Sequence, residues 1–538
     1  MTPHANNSDG ESANSDSKIA NEDGKQGVVG AEELRDANID DRKTAAIASL
    51  DSNRSLIGWL VLCYSTGPTS SVAFTYVTAS IQSVANLLGH VPGSTKPCAR
   101  RGAIKCVVKF GAGEIDYLSY ILYVRAIGRA LEGILTIFVS GIADYSYYRK
   151  NLMMGSIFLF GAMALPFAGL DGKTYSYLTG LTTLYIALTT IQGVYNVMES
   201  SYIPIFMRSV GWHRSRRMES PSEAPVLTEG EISKKSLVKG ARVSVLGLVA
   251  SNVGALTALL IGIIITYTRG SYVKAGYHNF LLAITVAGCL TIVFASLGAW
   301  LLPNVPGKKR PSGTNLAVLP FQTWVRLLRS APRYPEAFKL CIGWILWNTG
   351  WSNTLSVINL LFREISGLTS GDKIYTVYQF TNVICACVGS LSWMFLFPKF
   401  NLPIKRWAYI FLGVNIACVF WGTIGISENV TIGYKHNAEF WVEQVLFMST
   451  SSALRSLNRT MYASMLPRGG EAQFFGLELT LDLAVGWINP LVQGVIQNRT
   501  HNLRYPMLPN LFLMLIALGL YISVDVEKGR KEAEVEME

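Results

Sequence analysis

The sequence predicts an all-α membrane protein of twelve transmembrane helices in two six-helix halves. Three observations predict it. Of the 538 residues, 50% are hydrophobic and 15% charged, with a mean hydropathy of +0.30. Apolar runs of the ~20 residues needed to cross a bilayer recur along the chain. Lys and Arg collect in alternate loops between those runs, as orientation in a bilayer requires. The net charge of +11 therefore reports loop placement and not nucleic-acid binding.

Residues 1–55 are polar and rich in Ser, Asn and Asp, which predicts a disordered tail; no secretory signal pattern opens the chain. Residues 56–302 form the first half, with spans at 56–84, 118–142, 152–170, 178–205, 243–267 and 279–302. A linker, 303–336, leads to the second half, 337–525, with spans at 337–361, 375–397, 407–427, 438–461, 474–496 and 507–524. Residues 526–538 are a short charged tail.

An even number of spans puts both termini on one side. The basic clusters at 149–150, 208–242, 308–339, 399–406 and 528–531 share that side, which is therefore expected to be cytosolic. The first outer loop runs against the trend, with five basic residues between Lys96 and Lys109. Glycosylation sequons at Asn429 and Asn498 fall on the outer side, and those at Asn53 and Asn458 on the inner. Of eight cysteines, Cys98 and Cys106 share an outer loop where a disulfide can form, and the six others fall in spans as small apolar packers.

The second span is unusual. Arg125, Arg129 and Glu132 follow the spacing i, i+4, i+7 and so share one helical face. One charge near the bilayer centre costs ~2.5–3.5 kcal/mol even on the lenient insertion scale. Such a face belongs inside a bundle or a wet cavity, as an ion pair or as a binding surface. Asp144 follows at the helix C-terminus, where it opposes the macrodipole and needs a basic partner.

The chain also repeats weakly. Lys239-Gly240-x-Arg242-x4-Gly247 opens the fifth span, and Arg468-Gly469-x-Glu471-x4-Gly476 opens the eleventh, six spans later. Parallel repeats of six helices describe the major facilitator architecture. The run from Gly141 through Asp144 to Arg149-Lys150 resembles that superfamily's loop between spans two and three, with one extra residue and without the second glycine. The fifth span has no proline, so the superfamily's antiporter signature is missing; Gly254, Ala258 and Gly262 there form a small-residue ridge.

Longer runs carry a more specific resemblance. GIADYSYYRK from Gly141, YNVMESSYIPIFMR from Tyr195, YPEAFKLCIGWILWNTG from Tyr334 and LPRGGEAQFFGLELTLDLAVGWINPLVQGVIQNRT from Leu466 resemble the fungal autophagy-related protein 22 family. The resemblance covers nearly everything outside the N-terminal tail; Ser200 departs from the glycine expected in the family's Met-Glu-Gly-Ser run. It implies a multi-pass vacuolar membrane protein that releases amino acids, leucine among them, from vacuole to cytosol after autophagic degradation. It implies no cofactor and no enzymatic activity.

A zwitterionic amino acid needs an anion-binding group and an acceptor for its ammonium. Arginine suits the carboxylate because its fork is bidentate. Arg129 is the expected substrate ligand, and Arg125 is assigned to pair with Glu132 or to line the outer entrance. Glu199, Glu443, Glu478 and Asp482 are acids in other spans. Glu478 and Asp482 are one turn apart on the eleventh span, with Asn489-Pro490 beyond them interrupting the helix. Two carboxylates so close repel when both are ionised, which suits proton carriage. Asn348 with Trp59, Tyr64, Trp344, Trp351 and Asn353 can shape an apolar pocket between spans one and seven. The expected partners are an amino acid, protons and the lipid bilayer. The alternatives are a major facilitator carrier for peptides or sugars, and a non-transporting membrane nutrient receptor. An enzyme is disfavoured: neither G-x-S-x-G nor H-E-x-x-H occurs, and the six histidines are dispersed.

Overall fold

The computed structural model describes residues 53–94, 107–218, 229–269, 278–305, 307, 318–329, 332–365, 373–467, 471–486 and 504–534, and a few positions between 488 and 502. A helix lies over each expected span. In the first half, α1 (Asn53–Val72) and α2 (Thr78–Leu88) form the first span, joined through a π turn at Ala73–Val77. α3 (Tyr117–Ala143), α4 (Tyr148–Ala164), α5 (Tyr175–Met218), α6 (Glu229–Arg269) and α7 (His278–Leu301) follow. The linker carries an unexpected helix, α8 (Leu319–Arg329). The second half comprises α9 (Pro335–Ile365), α10 (Lys373–Leu396), α11 (Ile404–Ile424), α12 (Asn437–Glu443) and α13 (Ser449–Ser464) around a π turn at Gln444–Met448, α14 (Glu471–Gly486) and α15 (Met507–Ser523). A short α16 (Val526–Glu534) closes the described chain.

Among the described residues, six helices are long and apolar enough to cross a membrane by length and composition, or seven if the bent pair Met507–Ser523 and Val526–Ala533 is one span. The others fall short for visible reasons. π turns divide the first and tenth spans, and α5 and α9 dilute their apolar runs with Tyr, Thr, Trp and Asn. α14 and α15 have only 16 and 17 described residues.

The halves join along two seams, α3 against α14 and α6 against α10. Under a six-span repeat these seams are equivalent, the second span meeting the eleventh as the eighth meets the fifth. Within the first half, the small-residue ridge of α6 packs on the first span: a Cβ at Gly254 would lie 2.3 Å from the Tyr64 carbonyl oxygen. Such close backbone approach is what small residues permit inside a bilayer.

The loop between the first and second spans ends in a hairpin that the sequence reading missed. β1 (Val107–Phe110) pairs antiparallel with β2 (Gly113–Asp116), and Gly111 takes the left-handed turn position at φ 60°. At the opposite end, which carries both described termini, Asp144 finds its basic partner in Arg149 at 2.5 Å. The second oxygen of Asp144 accepts from the Gln473 amide at 3.1 Å and so ties the loop to the N-terminus of α14. There a carboxylate is favoured by the helix dipole. Lys150 donates to the Leu302 carbonyl, and Ser146, at φ 52°, accepts from the Gly307 amide at the start of the linker.

Asn429 is exposed in the loop before α12, whereas Asn458 is buried in α13. Cys98, Cys106 and Asn498 lie outside the described residues. Cys289 is exposed on α7 and does not pack internally as expected.

Candidate substrate site

Charged side chains from four elements and an amide from a fifth converge where the halves meet. α3 supplies Arg129 and Glu132, α5 supplies Glu199, α9 supplies Asn348, α13 supplies Arg455 and Arg459, and α14 supplies Glu478 and Asp482. On α3, the Arg129 guanidinium donates to Glu132 Oε2 at 3.0 Å, and Glu132 is 1% exposed. Gly193 of α5 makes room for that carboxylate: a Cβ there would come within 2.6 Å of Glu132 Cγ. The expected pairing of Arg125 with Glu132 is therefore corrected. Three residues and not seven separate the partners, so the shorter reach wins, and the buried Nε of Arg125 has no hydrogen-bond partner.

Across the seam, Asn348 works as a relay. Its amide nitrogen donates to Asp482 Oδ2 at 2.9 Å, and its oxygen accepts from Arg455 Nη2 at 3.1 Å. The Arg455 guanidinium lies over the Trp351 ring, 4.6 Å from the centroid, and 5.9 Å from that of Trp344. Cation–π attraction is strongest for Trp and grows when water is excluded. Trp344, Trp347 and Trp351 line α9 at helical spacing, with successive ring centroids 4.8 and 6.0 Å apart.

Glu199 accepts from Thr66 Oγ1 on α1 at 3.2 Å. The charge of Arg459 acts on both Glu199 and Glu478, and that of Asp482 reaches Arg129 and Glu132 in the other half. The set is thus one coupled cluster of three arginines and four carboxylates. Glu478 is buried and not solvated at a helix end. Glu443 stands apart, beside Cys385, Cys418 and Tyr434 in the second half. Asn489 is bound to Asn510 at 2.8 Å, and Pro490 lies outside the described residues.

Several buried atoms of the cluster have no hydrogen-bond partner: Glu132 Oε1, Glu478 Oε2 and the Trp351 and Trp347 indole nitrogens. An unpaired buried polar atom costs about 1–3 kcal/mol, so a ligand or water that pairs it is favoured. A cavity of about 100 Å³ adjoins Arg455 and Trp351, with Asn252, Ser451 and Ser452 on its wall. It is smaller than the ~300–1,000 Å³ of a typical ligand pocket, so admission of a substrate requires the halves to move.

Arg455 and Arg459 were absent from the sequence-derived candidates. The expected tenth span, 438–461, covers both, but it reads STSSALRSLNRTMYAS in this region, so polar that the two arginines did not stand out from their neighbours. The signal was there in the i, i+4 spacing of the two arginines, the same spacing that drew attention to α3.

The Vacuole effluxer Atg22 like family model matches residues 51–534. Autophagy-related protein 22 of Candida albicans is 46% identical over 474 residues, covering 88% of this chain and 90% of the relative. The Saccharomyces cerevisiae (strain ATCC 204508 / S288c) protein of the same name is 24% identical over 523 residues, covering 90% and 94%. Among solved structures, the proton:xylose symporter XylE superposes with a TM-score of 0.59 at 12% identity over 92% of this chain and 100% of that one. The human organic anion transporter MFSD10 gives 0.57 at 10% identity over 87% and 99%. These structures share the fold alone, that of the major facilitator superfamily. By its match to the family model over residues 51–534 and its 46% identity to the Candida albicans protein, the chain belongs to the vacuole effluxer Atg22-like family, and its fold is that of membrane transporters.

Proposed function

We propose that the protein releases zwitterionic amino acids such as leucine from the vacuole lumen to the cytosol, with both termini cytosolic. The observation that carries this reading is the state of Arg455. Its guanidinium has five N–H donors, one of which serves Asn348; it is stacked on Trp351, and no carboxylate among the described residues sits within ion-pair distance. A substrate carboxylate supplies the missing bidentate partner. The ammonium goes to Asp482, one bond further along the Asn348 relay, with Glu132 and Glu478 adding negative charge. Arg129, already engaged by Glu132, holds the acids of the first half in place. The tryptophans of α9 give an apolar side chain its surface. Protons enter through the close carboxylates of α14, whose mutual repulsion one proton relieves.

The test is leucine efflux from isolated vacuoles across luminal pH. Arg455→Lys keeps the charge and loses the fork, so efflux is expected to fall at least tenfold, about 1.4 kcal/mol of binding, while the protein still reaches the vacuole. Asp482→Asn should fall similarly and lose its dependence on luminal pH, and Arg129→Lys less. Wild-type efflux from both Arg455→Lys and Asp482→Asn would show that these residues pack the bundle and bind nothing.

A further inference from the structure

A second cavity lies toward the end of the bundle that carries the described termini, lined by none of the charged residues of the cluster. It holds about 1170 Å³ beside the seam between α6 and α10, and α16 closes one side. Its polar wall is basic. Lys234, Lys235, Lys239 and Arg242 come from α6 and Arg530 from α16, against the single carboxylate of Glu527. Lys235, Lys239 and Arg242 are spaced i, i+4, i+7 and share one face of α6. Lys234 donates to Asn401 at 3.3 Å, and no carboxylate among the described residues sits within ion-pair distance of Lys235, Arg242 or Arg530. The remaining wall is apolar, with Phe206, Val243, Phe397 and Leu402 among its residues.

Lys235, Arg242 and Arg530 carry like charges around one space, and an anion placed between them relieves their repulsion. The apolar wall beside them excludes a purely hydrated counterion as the natural occupant. The cavity also sits where membrane-crossing helices end, at the depth of lipid headgroups. We infer that this cavity binds a phosphate-bearing anion, and that a phospholipid headgroup is its source, the phosphate on the α6 cations and the glycerol and upper acyl carbons against Phe206 and Phe397. This site is separate from the proposed substrate site and does not depend on it. Because residues of both halves line the cavity, an occupant bridges the two halves at that end.

The experiment measures binding of a fluorescent diacyl phosphatidylinositol phosphate to the purified full-length protein in neutral detergent. Competition by diacyl phosphatidylcholine and by inorganic phosphate is measured beside it. Each cation near a membrane surface contributes roughly fivefold in affinity. Lys235→Gln/Arg242→Gln should therefore weaken binding roughly 25-fold. Arg329→Gln/Arg333→Gln removes the same charge at the same end but outside the cavity, and should leave affinity within about twofold, given salt screening. Thermal unfolding without lipid establishes that each variant is folded, and Lys235→Gln alone serves if the double variant is not. Competition by inorganic phosphate at the same concentration keeps the anion site and rejects the lipid as its source. Equal competition by phosphatidylcholine, or equal loss in the Arg329/Arg333 control, overturns the site.

Discussion

Glu443 shows how differently buried acids are treated in this protein. Glu132 sits against an arginine and Glu199 against a threonine hydroxyl, but Glu443 Oε1 has no hydrogen-bond partner and its surroundings are Tyr434, Cys385 and Cys418. A buried acid with no cation beside it is held in the neutral form or destabilises the fold. Glu443→Gln should therefore leave stability unchanged or raise it by up to about 1–2 kcal/mol, read as the thermal unfolding midpoint in detergent. Glu132→Gln should cost about 1–2 kcal/mol, because it removes the charge partner of Arg129, whose side chain is 43% exposed, while leaving an amide oxygen to accept its hydrogen bond. If both variants lose the same stability, Glu443 has a charged partner after all. The sequence could name both acids as intramembrane, yet not separate them. Spacing on one helix shows which charges share a face, and only packing shows which helix supplies the counter-charge. Arg455 lies in an expected span and was missed because its polar neighbours kept it from standing out.

At the scale of single elements, the ends of the bundle are fastened by carboxylates. Glu439, in the first turn of α12, accepts from the Trp421 indole at 2.7 Å and from the amides of Gly433, Tyr434, Lys435 and His436. One side chain thus fixes the outer loop in which Asn429 is exposed. At the opposite end Glu336 accepts from Lys339 at 2.8 Å and from the Asp525 amide at 2.9 Å, with Lys528 at 3.6 Å, and so holds α16 against the start of α9. Burial opposes ionisation of Glu336, but the Lys339 and Asp525 hydrogen bonds and the lysine charges outweigh it and hold its carboxyl below the ordinary value. A lowered value means that this contribution is present above the ordinary glutamate pKa of about 4.3 and is lost as pH falls through the lowered one. Glu336→Gln should therefore unfold earlier than wild type at pH 7, by about 1 kcal/mol given the exposed lysines, and the gap should close below about pH 4. A gap that persists or widens in acid would mean that packing, not charge, fastens α16.

The whole molecule is where the sequence was most legible, because bilayer thickness and the repeat are properties of long stretches. A helix lies over every stretch that hydropathy marked as a span, and six or seven helices among the described residues are long and apolar enough to cross a membrane. α8 escaped because a short amphipathic helix with charged ends reads as linker, and the hairpin escaped because its strands are four residues each. The seam between the fifth and eighth spans could not be read, since it depends on which small residues face each other. At the terminus-bearing end the α3–α14 seam is closed: a Cβ on Gly476 would lie 2.4 Å from the Ser140 side chain, and the Asp144–Gln473 hydrogen bond lies one turn away. A central site reached from both sides requires this seam to part. Gly476→Val adds bulk that the closed seam cannot hold and an open one can. Overpacking of this kind costs about 1–3 kcal/mol, which shifts a two-state equilibrium roughly 5- to 150-fold toward the open form. Gln473 contributes its backbone amide to Asp144, so Gln473→Cys keeps that contact and provides a reporter beside the seam. Maleimide labelling at this position, followed by mass spectrometry of its peptide, should accelerate at least fivefold when Gly476→Val is added. The same labelling rate with and without Gly476→Val would show that the seam is a fixed joint and that the halves move elsewhere.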